Sequence, residues 1–167
     1  MRIRDLMSRN LVTLNAQADL ELAEGLMSLM RVRHLPVVSG RLLVGLVTHR
    51  DLLRACLSSI GGHTESQLQA HKASVTAAQI MRTDVTTVSP DTDVREAIRT
   101  MRAHKYGCLP VVDEDGELVG IVTEADFLHL MQALLDRVDQ FDLASLRDLA
   151  QSVRGDDDES DDGEGGD

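Results

Sequence analysis

The sequence predicts a mixed α and β fold in which two tandem β-α-β-β-α units pack as a pseudo-twofold pair. The first observation is an internal repeat, because a shift of 74 residues aligns the two halves and becomes 75 after a hairpin turn. The second is a phrase that occurs twice, Gly45 to Asp51 and Gly120 to Asp126, in which a strand ends in Thr-x-x-Asp and opens a helix. The third is a Leu-Pro-Val-Val shortly before each phrase. One unit is too small to bury both faces of its sheet, so the two units must share a core.

Each half begins with a short strand and an amphipathic helix. The strands are predicted at 11–14 and 85–88, where β-branched residues cluster. Four apolar residues at helical spacing predict the buried face of each helix. They are Leu22, Leu26, Leu29 and Met30 in the first half, and Val94, Ala97, Ile98 and Met101 in the second. Asp93, followed three residues later by Glu96, resembles a capping box.

A β-hairpin and a second helix complete each half. The hairpins are predicted at 35–38 with 42–47 and at 109–112 with 118–122, because turn residues separate the two runs in each case. The second helix is expected to start after Thr48 or Thr123. Short helical lead-ins are expected at Leu6 and Met7 and at Ile80 and Met81.

The repeat divides the chain into five parts. The first unit is expected at 1–60, a polar linker at 61–74 and the second unit at 75–135. An extra helical segment at 136–153 has no counterpart in the first half. Residues 154–167 form an acidic tail, which carries eight acids and no base from residue 155 onward, so we expect it to be disordered because it repels itself.

Composition restricts the classes of function. The net charge is −11, but without the eight tail acids the remainder carries only −3. A strongly basic face for duplex nucleic acid is therefore not expected. Only 2% of residues are aromatic, so few rings are available to stack on bases. Two cysteines without a partner motif, no leader and no membrane-length apolar run favour a cytoplasmic protein.

The repeated Thr-x-x-Asp corner has two interpretations. In the first, Thr48 and Asp51 only cap the helix and complement its dipole, and no ligand is needed. In the second, the helix N-terminus also attracts a phosphate, and the aspartate accepts both hydroxyls of a ribose. Thr123 and Asp126 allow the same two interpretations. The sequence alone leaves both open.

Basic side chains are distributed unequally around the two corners. Those beside the first corner are Arg33, His34, His49 and Arg50, and the second half offers Arg102, His104 and Lys105. The second corner itself carries Glu124 and Ala125, and a carboxylate there disfavours a polyphosphate. We therefore predict unequal sites, with the Thr48 and Asp51 site better suited to charged nucleotides. The alternative is that these charges are solvated surface residues.

No catalytic or metal motif stands out. The chain has no nucleophile–base pair, no glycine-rich phosphate loop and no paired acid motif, so an enzyme is not expected. His63, Glu65 and His71 lie in the polar linker, but their spacing fits no standard metal site. No required cofactor and no metal are expected.

In their order and duplication, these pieces resemble the tandem cystathionine-β-synthase (CBS) domain pair, or Bateman module, over residues 1–135. The resemblance implies a non-catalytic, energy-sensing regulatory module that binds AMP, ADP, ATP or S-adenosylmethionine in clefts between the repeats. It also implies a homodimer and a regulated protein partner. By resemblance, Asp51 and Asp126 hold ribose, and Thr48 and Thr123 hold a phosphate or ribose oxygen. Four residues of the first strands would contact adenine through backbone groups: Val12, Thr13, Thr86 and Thr87.

A second hypothesis leaves the clefts empty. In it, the pair is a structural or protein-interaction module that works through the segment at 136–153 or through the acidic tail.

Overall fold

The computed structural model describes residues 1–57 and 65–137. Residues 1–127 form one compact unit, and a second unit begins at Leu128 within the last helix. Most of the predicted extra segment, the acidic tail and His63 lie outside the described residues. No helix within these two ranges is long and apolar enough to span a bilayer.

The elements follow the predicted β-α-β-β-α order in the first half, and the second half follows it without the first strand. After a 3-10 turn at Ile3–Asp5, the first half contains β1 (Leu14–Asn15), α1 (Leu20–Met30), β2 (His34–Ser39), β3 (Leu42–Thr48) and α2 (His49–Leu57). Two helices follow, α3 (Glu65–Ser74) and α4 (Ala77–Ile80). The second half contains α5 (Val94–His104), β4 (Cys108–Val112), β5 (Leu118–Thr123) and α6 (Glu124–Arg137). The predicted linker is therefore helical over 65–74, and α3 packs against α1, where Lys72 pairs with Glu24.

The two hairpins are confirmed, whereas the first strands are shorter than predicted. β2 pairs antiparallel with β3, and β4 pairs in the same way with β5. β1 adds a parallel pairing of only two residues, with Leu14 opposite Val37. In the second half, the predicted strand at 85–88 is reduced to a single bridge between Val88 and Val111. Strand propensity reports how side chains fit a sheet and not whether a hydrogen-bonding neighbour is present, so it overestimated both strands.

The predicted buried face of α1 is wrong. Leu20, Ala23 and Met27 are buried, whereas Leu22 is 52% exposed and Leu29 is 78% exposed. The pattern misled because α1 carries apolar residues on more than one side; of the predicted set, only Leu26 packs against the core, where it is half-buried. In α5 the prediction is confirmed at Val94, Ala97 and Met101, while Ile98 is 37% exposed.

Each lead-in segment pairs with a strand of the other half of the chain. Ser8 forms two backbone hydrogen bonds with Ile121 of β5, at 2.9 and 3.0 Å, and Arg82 forms two with Leu46 of β3, both at 2.9 Å. Ile3 therefore joins the core of the second repeat, and Ala77 joins that of the first. Each core is completed by residues from the other half of the sequence.

Candidate functional site

A cavity of about 920 Å³ lies beside the start of α2. It is lined by the α2 corner of the first repeat and by the segments at 83–86 and 105–108 of the second. The exchanged lead-in adds Met81 and Arg82 to its wall. Both halves of the sequence thus contribute to one cavity, and its volume lies within the roughly 300–1,000 Å³ that is typical of small-molecule sites.

The first corner forms a closed capping arrangement. The backbone N–H and the hydroxyl of Thr48 donate to Asp51 Oδ2, at 2.9 and 2.6 Å, and the Asp51 N–H donates back to Thr48 Oγ1 at 3.3 Å. Asp51 is only 8% exposed. These bonds satisfy helix N–H groups and fix the side chains of the corner.

The second corner repeats the two hydrogen bonds from threonine to aspartate. The N–H and the hydroxyl of Thr123 donate to Asp126 Oδ2, at 2.7 and 2.8 Å. The capping interpretation of the Thr-x-x-Asp phrase therefore describes both corners, whether or not a ligand also binds there.

The remaining aspartate oxygen distinguishes the corners. Asp51 Oδ1 lies 3.9 Å from Nε of Arg82, whose side chain is 57% exposed and lines the cavity. Asp126 Oδ1 instead accepts from the hydroxyl of Ser8 at 3.5 Å. Arg82 and Ser8 are equivalent under the 74-residue shift, so this is a difference at one position of the repeat. The sequence prediction missed Arg82, because its approach to Asp51 depends on the long-range pairing of the lead-in with β3.

The backbone at the start of α2 has little hydrogen-bonding capacity left for an anion. A helix leaves about four N–H groups without a partner inside the helix at its N-terminus. At α2 the N–H groups of Thr48 and Asp51 donate within the corner, and that of His49 donates to the carbonyl of Arg33 at 2.9 Å. An anion in this cavity must therefore rely mainly on side-chain cations.

The cavity is rich in such cations. Four arginine or lysine side chains line it, together with His34 and His49. Only two acids, Asp84 and Glu124, are among its lining residues. The basic side chains are Arg33, Arg50, Arg82 and Lys105. This excess of positive charge favours a ligand with phosphate groups.

His34 is held close to the second repeat. Burial lowers its pKa, and the neighbouring Arg33 lowers it further, whereas Glu124 and Asp51 act in the opposite direction. A Cβ atom on Gly107 would lie 2.9 Å from Nε2 of His34, so a larger residue there would displace the imidazole from its present position. The imidazole is therefore neutral at pH 7 and can accept or donate a hydrogen bond.

Cys108 occupies the position equivalent to His34. Burial, followed by the charge of Glu124, raises the pKa of its thiol to about 12. A thiol with this pKa is not a nucleophile near neutral pH, so Cys108 provides an uncharged and small part of the wall.

One aromatic ring lines the cavity, which the sequence did not lead us to expect. Tyr106 stacks on His104, with ring centroids 5.2 Å apart and planes inclined by 19°. The hydroxyl of Thr86 lies 3.3 Å from the Tyr106 hydroxyl. Together with apolar neighbours such as Leu46 and Met81, this ring offers a surface on which a purine can pack.

The predicted site residues separate into three groups. Those that line the cavity are Thr48, Arg33, His34, His49, Arg50, Thr86 and Lys105. Thr86 also joins Thr87 in the wall of a second cavity of about 330 Å³. Neither of these two cavities is lined by the remaining predicted residues, which are Val12, Thr13, Asp51, Thr123 and Asp126. Asp51 contacts two residues of the larger cavity, Thr48 and Arg82, so it supports that wall from behind.

Metal binding finds no support in the part of the chain that the structure describes. Within residues 1–57 and 65–137, no group of three or more His, Cys, Asp or Glu side chains could hold a metal ion.

Comparison with known proteins gives a consistent result. The family model described as "CBS domain" matches residues 3–58 and 77–133. A CBS domain-containing protein from Dictyostelium discoideum is 34% identical over 141 residues, which cover 81% of this chain and 94% of that relative. Inosine-5′-monophosphate dehydrogenase from Korarchaeum cryptofilum is also 34% identical, but the match covers 77% of this chain and only 24% of the enzyme. The chain thus spans about a quarter of that enzyme's length.

Solved structures agree. A Vibrio cholerae protein named for acetoin utilization (AcuB) superposes with a TM-score of 0.71 at 35% identity, covering 85% of this chain and 98% of that one. A CBS domain pair in complex with 5′-methylthioadenosine and S-adenosyl-L-methionine gives a TM-score of 0.66 at 27% identity, over 80% of this chain and 97% of that one. CBSX2, a CBS-pair protein from Arabidopsis thaliana, in complex with AMP gives 0.67 at 25% identity, over 80% and 97%.

Proposed function

The chain belongs to the CBS domain family, and from that premise we propose that it is a non-catalytic regulatory module that binds an adenine nucleotide in the cavity beside α2. The observation that carries the proposal is the set of four cationic side chains around a cavity of about 920 Å³. Two structural neighbours of the same family were solved with AMP or with adenosyl compounds, which supports a ligand of this class.

In the proposed complex, each part of the ligand meets a matching part of the wall. The phosphates lie among Arg33, Arg50, Arg82 and Lys105, because charge-assisted hydrogen bonds to phosphate are the strongest that the wall can make. The base packs against Tyr106 and its apolar neighbours. Thr48 is the corner residue that reaches the ribose, while Asp51 fixes the Thr48 hydroxyl. The predicted direct contact of Asp51 and Asp126 with ribose remains a prediction.

The excess of cations favours nucleotides over S-adenosylmethionine, whose sulfonium group is itself positive. A module that distinguishes AMP from ATP would sense the energy state of the cell, as the resemblance implied. We propose that binding shifts the relative placement of the repeats or of two copies in a homodimer, and so regulates a protein partner.

Calorimetric titration and thermal unfolding with AMP, ADP, ATP and S-adenosylmethionine test the proposal. A ligand at a concentration of about 100 times its Kd stabilises the protein by roughly 2.7 kcal/mol. We expect stabilisation by at least one nucleotide and a weaker effect of S-adenosylmethionine. Arg50→Ala should weaken nucleotide binding, because it removes one of the four cations that line the cavity. Alanine is the residue that the second corner carries at the equivalent position, Ala125. Arg54→Ala is the matched control, since Arg54 is exposed on the same helix but does not line the cavity.

One observation favours the alternative of a protein-interaction module with empty clefts. Both corner aspartates already accept hydrogen bonds from their own threonines, so the corners are complete without a ligand. If no nucleotide changes the unfolding temperature, and Asp51→Ala and Asp126→Ala alter only stability, the alternative replaces the nucleotide-binding proposal.

A further inference from the structure

Three pairs of equivalent positions, with one member from each half of the chain, line the cavity of about 920 Å³. They are Arg33 and Gly107, His34 and Cys108, and His49 and Glu124. The cavity therefore lies where the same parts of the two repeats face each other. A ligand that fills it meets a wall from the first repeat on one side and the equivalent wall from the second repeat on the other.

The two walls differ in charge. In each of the three pairs, the member from the first repeat is an arginine or a histidine, whereas the member from the second repeat is a glycine, a cysteine or a glutamate. All three lining arginines also belong to the first side, since Arg33 and Arg50 lie in the first repeat and Arg82 lies beside Asp51. The second repeat contributes one cation, Lys105. An anionic group is therefore attracted mainly to the first side.

Glu124 takes the place on the second side that His49 takes on the first. The His49 N–H donates to the carbonyl of Arg33 at 2.9 Å, and the Glu124 N–H donates to the carbonyl of Gly107 at 3.2 Å. Both residues are exposed, and each is the first residue of its helix. Because the backbone is fixed in the same way on both sides, the difference between histidine and glutamate changes the charge of the wall and not its backbone.

The carboxylate of Glu124 lies close to the other repeat. A Cβ atom on Gly107 would lie 3.8 Å from Oε2 of Glu124 and 2.9 Å from Nε2 of His34, so both groups approach the same glycine. Burial is the largest cause of the shifted pKa of His34 and of Cys108, and the charge of Glu124 raises the pKa of both. Among the described residues, no cation forms an ion pair with Glu124. Its negative charge therefore acts on whatever occupies the cavity.

A carboxylate in this place opposes each additional phosphate of a ligand. At pH 7, AMP carries about two negative charges and ATP about four. Like charges repel, and the repulsion grows with the charge of the ligand. The arginines of the first side can hold a single phosphate, whereas a longer phosphate chain brings more negative charge within reach of Glu124.

We propose that Glu124 is a specificity-determining residue of this cavity, which shifts its preference from nucleoside triphosphates toward nucleoside monophosphates. The inference rests on the proposed function and identifies the class of nucleotide that the site selects. It also gives the unequal walls separate roles, because the first side attracts phosphate and the second side limits how much phosphate is accepted.

Calorimetric titration with AMP and with ATP tests this role. The titrations are done without divalent cations, because Mg²⁺ binds to phosphates and would neutralise part of the charge of ATP. Glu124→Gln removes the charge with little change of shape. We expect it to raise the affinity for ATP by about three- to tenfold more than it raises the affinity for AMP. This difference should shrink at high salt, where exposed charges are screened. A merely structural role would change both affinities by the same factor.

The reciprocal change tests the same idea in the opposite direction. His49→Glu places a carboxylate on the first side and should lower the affinity for ATP more than the affinity for AMP. An equal loss for both nucleotides would show that a carboxylate at these equivalent positions does not sense the number of phosphates.

Two further variants are controls. Glu21→Gln removes the same charge from α1, where Glu21 is exposed and lines neither cavity, and it should leave both affinities unchanged. Asp84→Asn removes the other acid of the wall and introduces the residue that the first half carries as Asn10. It should change the ratio of the two affinities less than Glu124→Gln does, and a larger change would assign the selectivity to Asp84 instead.

The outcomes separate this inference from the proposed function. If the native protein binds AMP, and Glu124→Gln keeps the ratio of the two affinities within about twofold of the native ratio, the role of Glu124 is wrong and the proposed function stands. If the native protein binds neither nucleotide but Glu124→Gln binds ATP, Glu124 excludes the triphosphate and the proposed function of the native chain is wrong. If neither protein binds either nucleotide, both proposals are overturned.

Discussion

The two repeats share a backbone plan but surround their corners with different side chains. In both, a threonine and an aspartate close the same capping hydrogen bonds at the start of a helix. The free aspartate oxygen faces Arg82 at the first corner and Ser8 at the second. Where the first repeat has His49 and Arg50, the second has Glu124 and Ala125.

The difference separates what folds the repeat from what it binds. Positions that are alike in both halves, such as the capping pair and the hairpin glycines, maintain the frame. Positions at which the two halves differ line the cavity or lie on the surface of α1. There they change the charge and the apolar surface without changing the backbone fold. Exchanging residues between equivalent positions is therefore the most direct way to test the comparison.

The largest effect is expected from Arg82→Ser, which gives the first corner the residue of the second. Loss of a charge-assisted hydrogen bond to phosphate typically costs roughly 1.5–3 kcal/mol, so nucleotide affinity should fall by about 10- to 100-fold. Arg82 is more than half exposed, so the fold should tolerate the change. Calorimetric titration with AMP and ATP provides the measurement.

The reciprocal change, Ser8→Arg, is the control. It places a cation beside Asp126 and should leave binding at the first corner unchanged. An Arg82→Ser variant that binds AMP within about twofold of the native affinity would show that Arg82 does not contact phosphate.

Next in size is the effect of filling the space at two equivalent strand glycines. A Cβ atom on Gly45 or on Gly120 would lie 2.5 Å from the sulfur of Met81 or of Met7, respectively. Gly45 additionally faces the backbone oxygen of Arg82 at 3.0 Å, which cannot move as a methionine side chain can. Alanine should destabilise by about 1–3 kcal/mol at either position, and more at Gly45.

Urea unfolding measures both changes in the free energy of unfolding. A larger loss for Gly120→Ala than for Gly45→Ala would contradict the idea that the Arg82 backbone is held more firmly than the methionine.

Local signals in the sequence were enough to predict the hairpins and the corners. The turn residues, the β-branched runs and the Thr-x-x-Asp capping pair act over a few neighbouring residues, so each could be inferred from its own segment. The duplication strengthened these predictions because the same pattern had to be satisfied twice.

Features that depend on distant partners could not be predicted in this way. Each lead-in pairs with a strand of the other repeat. Nothing near Arg82 in the sequence indicates that it lies beside Asp51. The buried face of α1 was ambiguous for the same reason, since both faces are apolar and only tertiary packing selects one. Tyr106 was missed because the low aromatic content was taken to mean that few rings are available to stack on bases.

A smaller effect concerns His34 and its counterpart Cys108. Burial lowers the pKa of His34 below 6.5 in the folded protein, so the unfolded chain binds a proton first as the pH falls. The contribution of His34 to stability is therefore complete above pH 6.5 and is lost as the pH falls below 6.5 toward the folded-state pKa, by at most about 1.4 kcal/mol per pH unit. His34→Gln should flatten this dependence between about pH 7.5 and pH 5.5. Cys108 should contribute nothing there, because its thiol remains protonated. Equal slopes for native protein and His34→Gln, measured by urea unfolding, would contradict this account.

The smallest expected effect comes from the residues that end the first helix of each repeat. Arg31 and Lys105 both adopt the left-handed conformation with φ of 54°, which is unfavourable for residues other than glycine. Glycine at either position should stabilise the protein by about 0.5–1 kcal/mol. Lys105 also lines the cavity, whereas Arg31 does not.

The two glycine variants should therefore differ in binding while agreeing in stability. Removal of one exposed cation costs roughly 0.2–1 kcal/mol, so Lys105→Gly should weaken nucleotide affinity by up to about fivefold. Arg31→Gly should leave the affinity unchanged. Calorimetry on both variants measures the two affinities. An Arg31→Gly variant that loses as much affinity as Lys105→Gly would contradict the proposed position of the nucleotide beside Lys105.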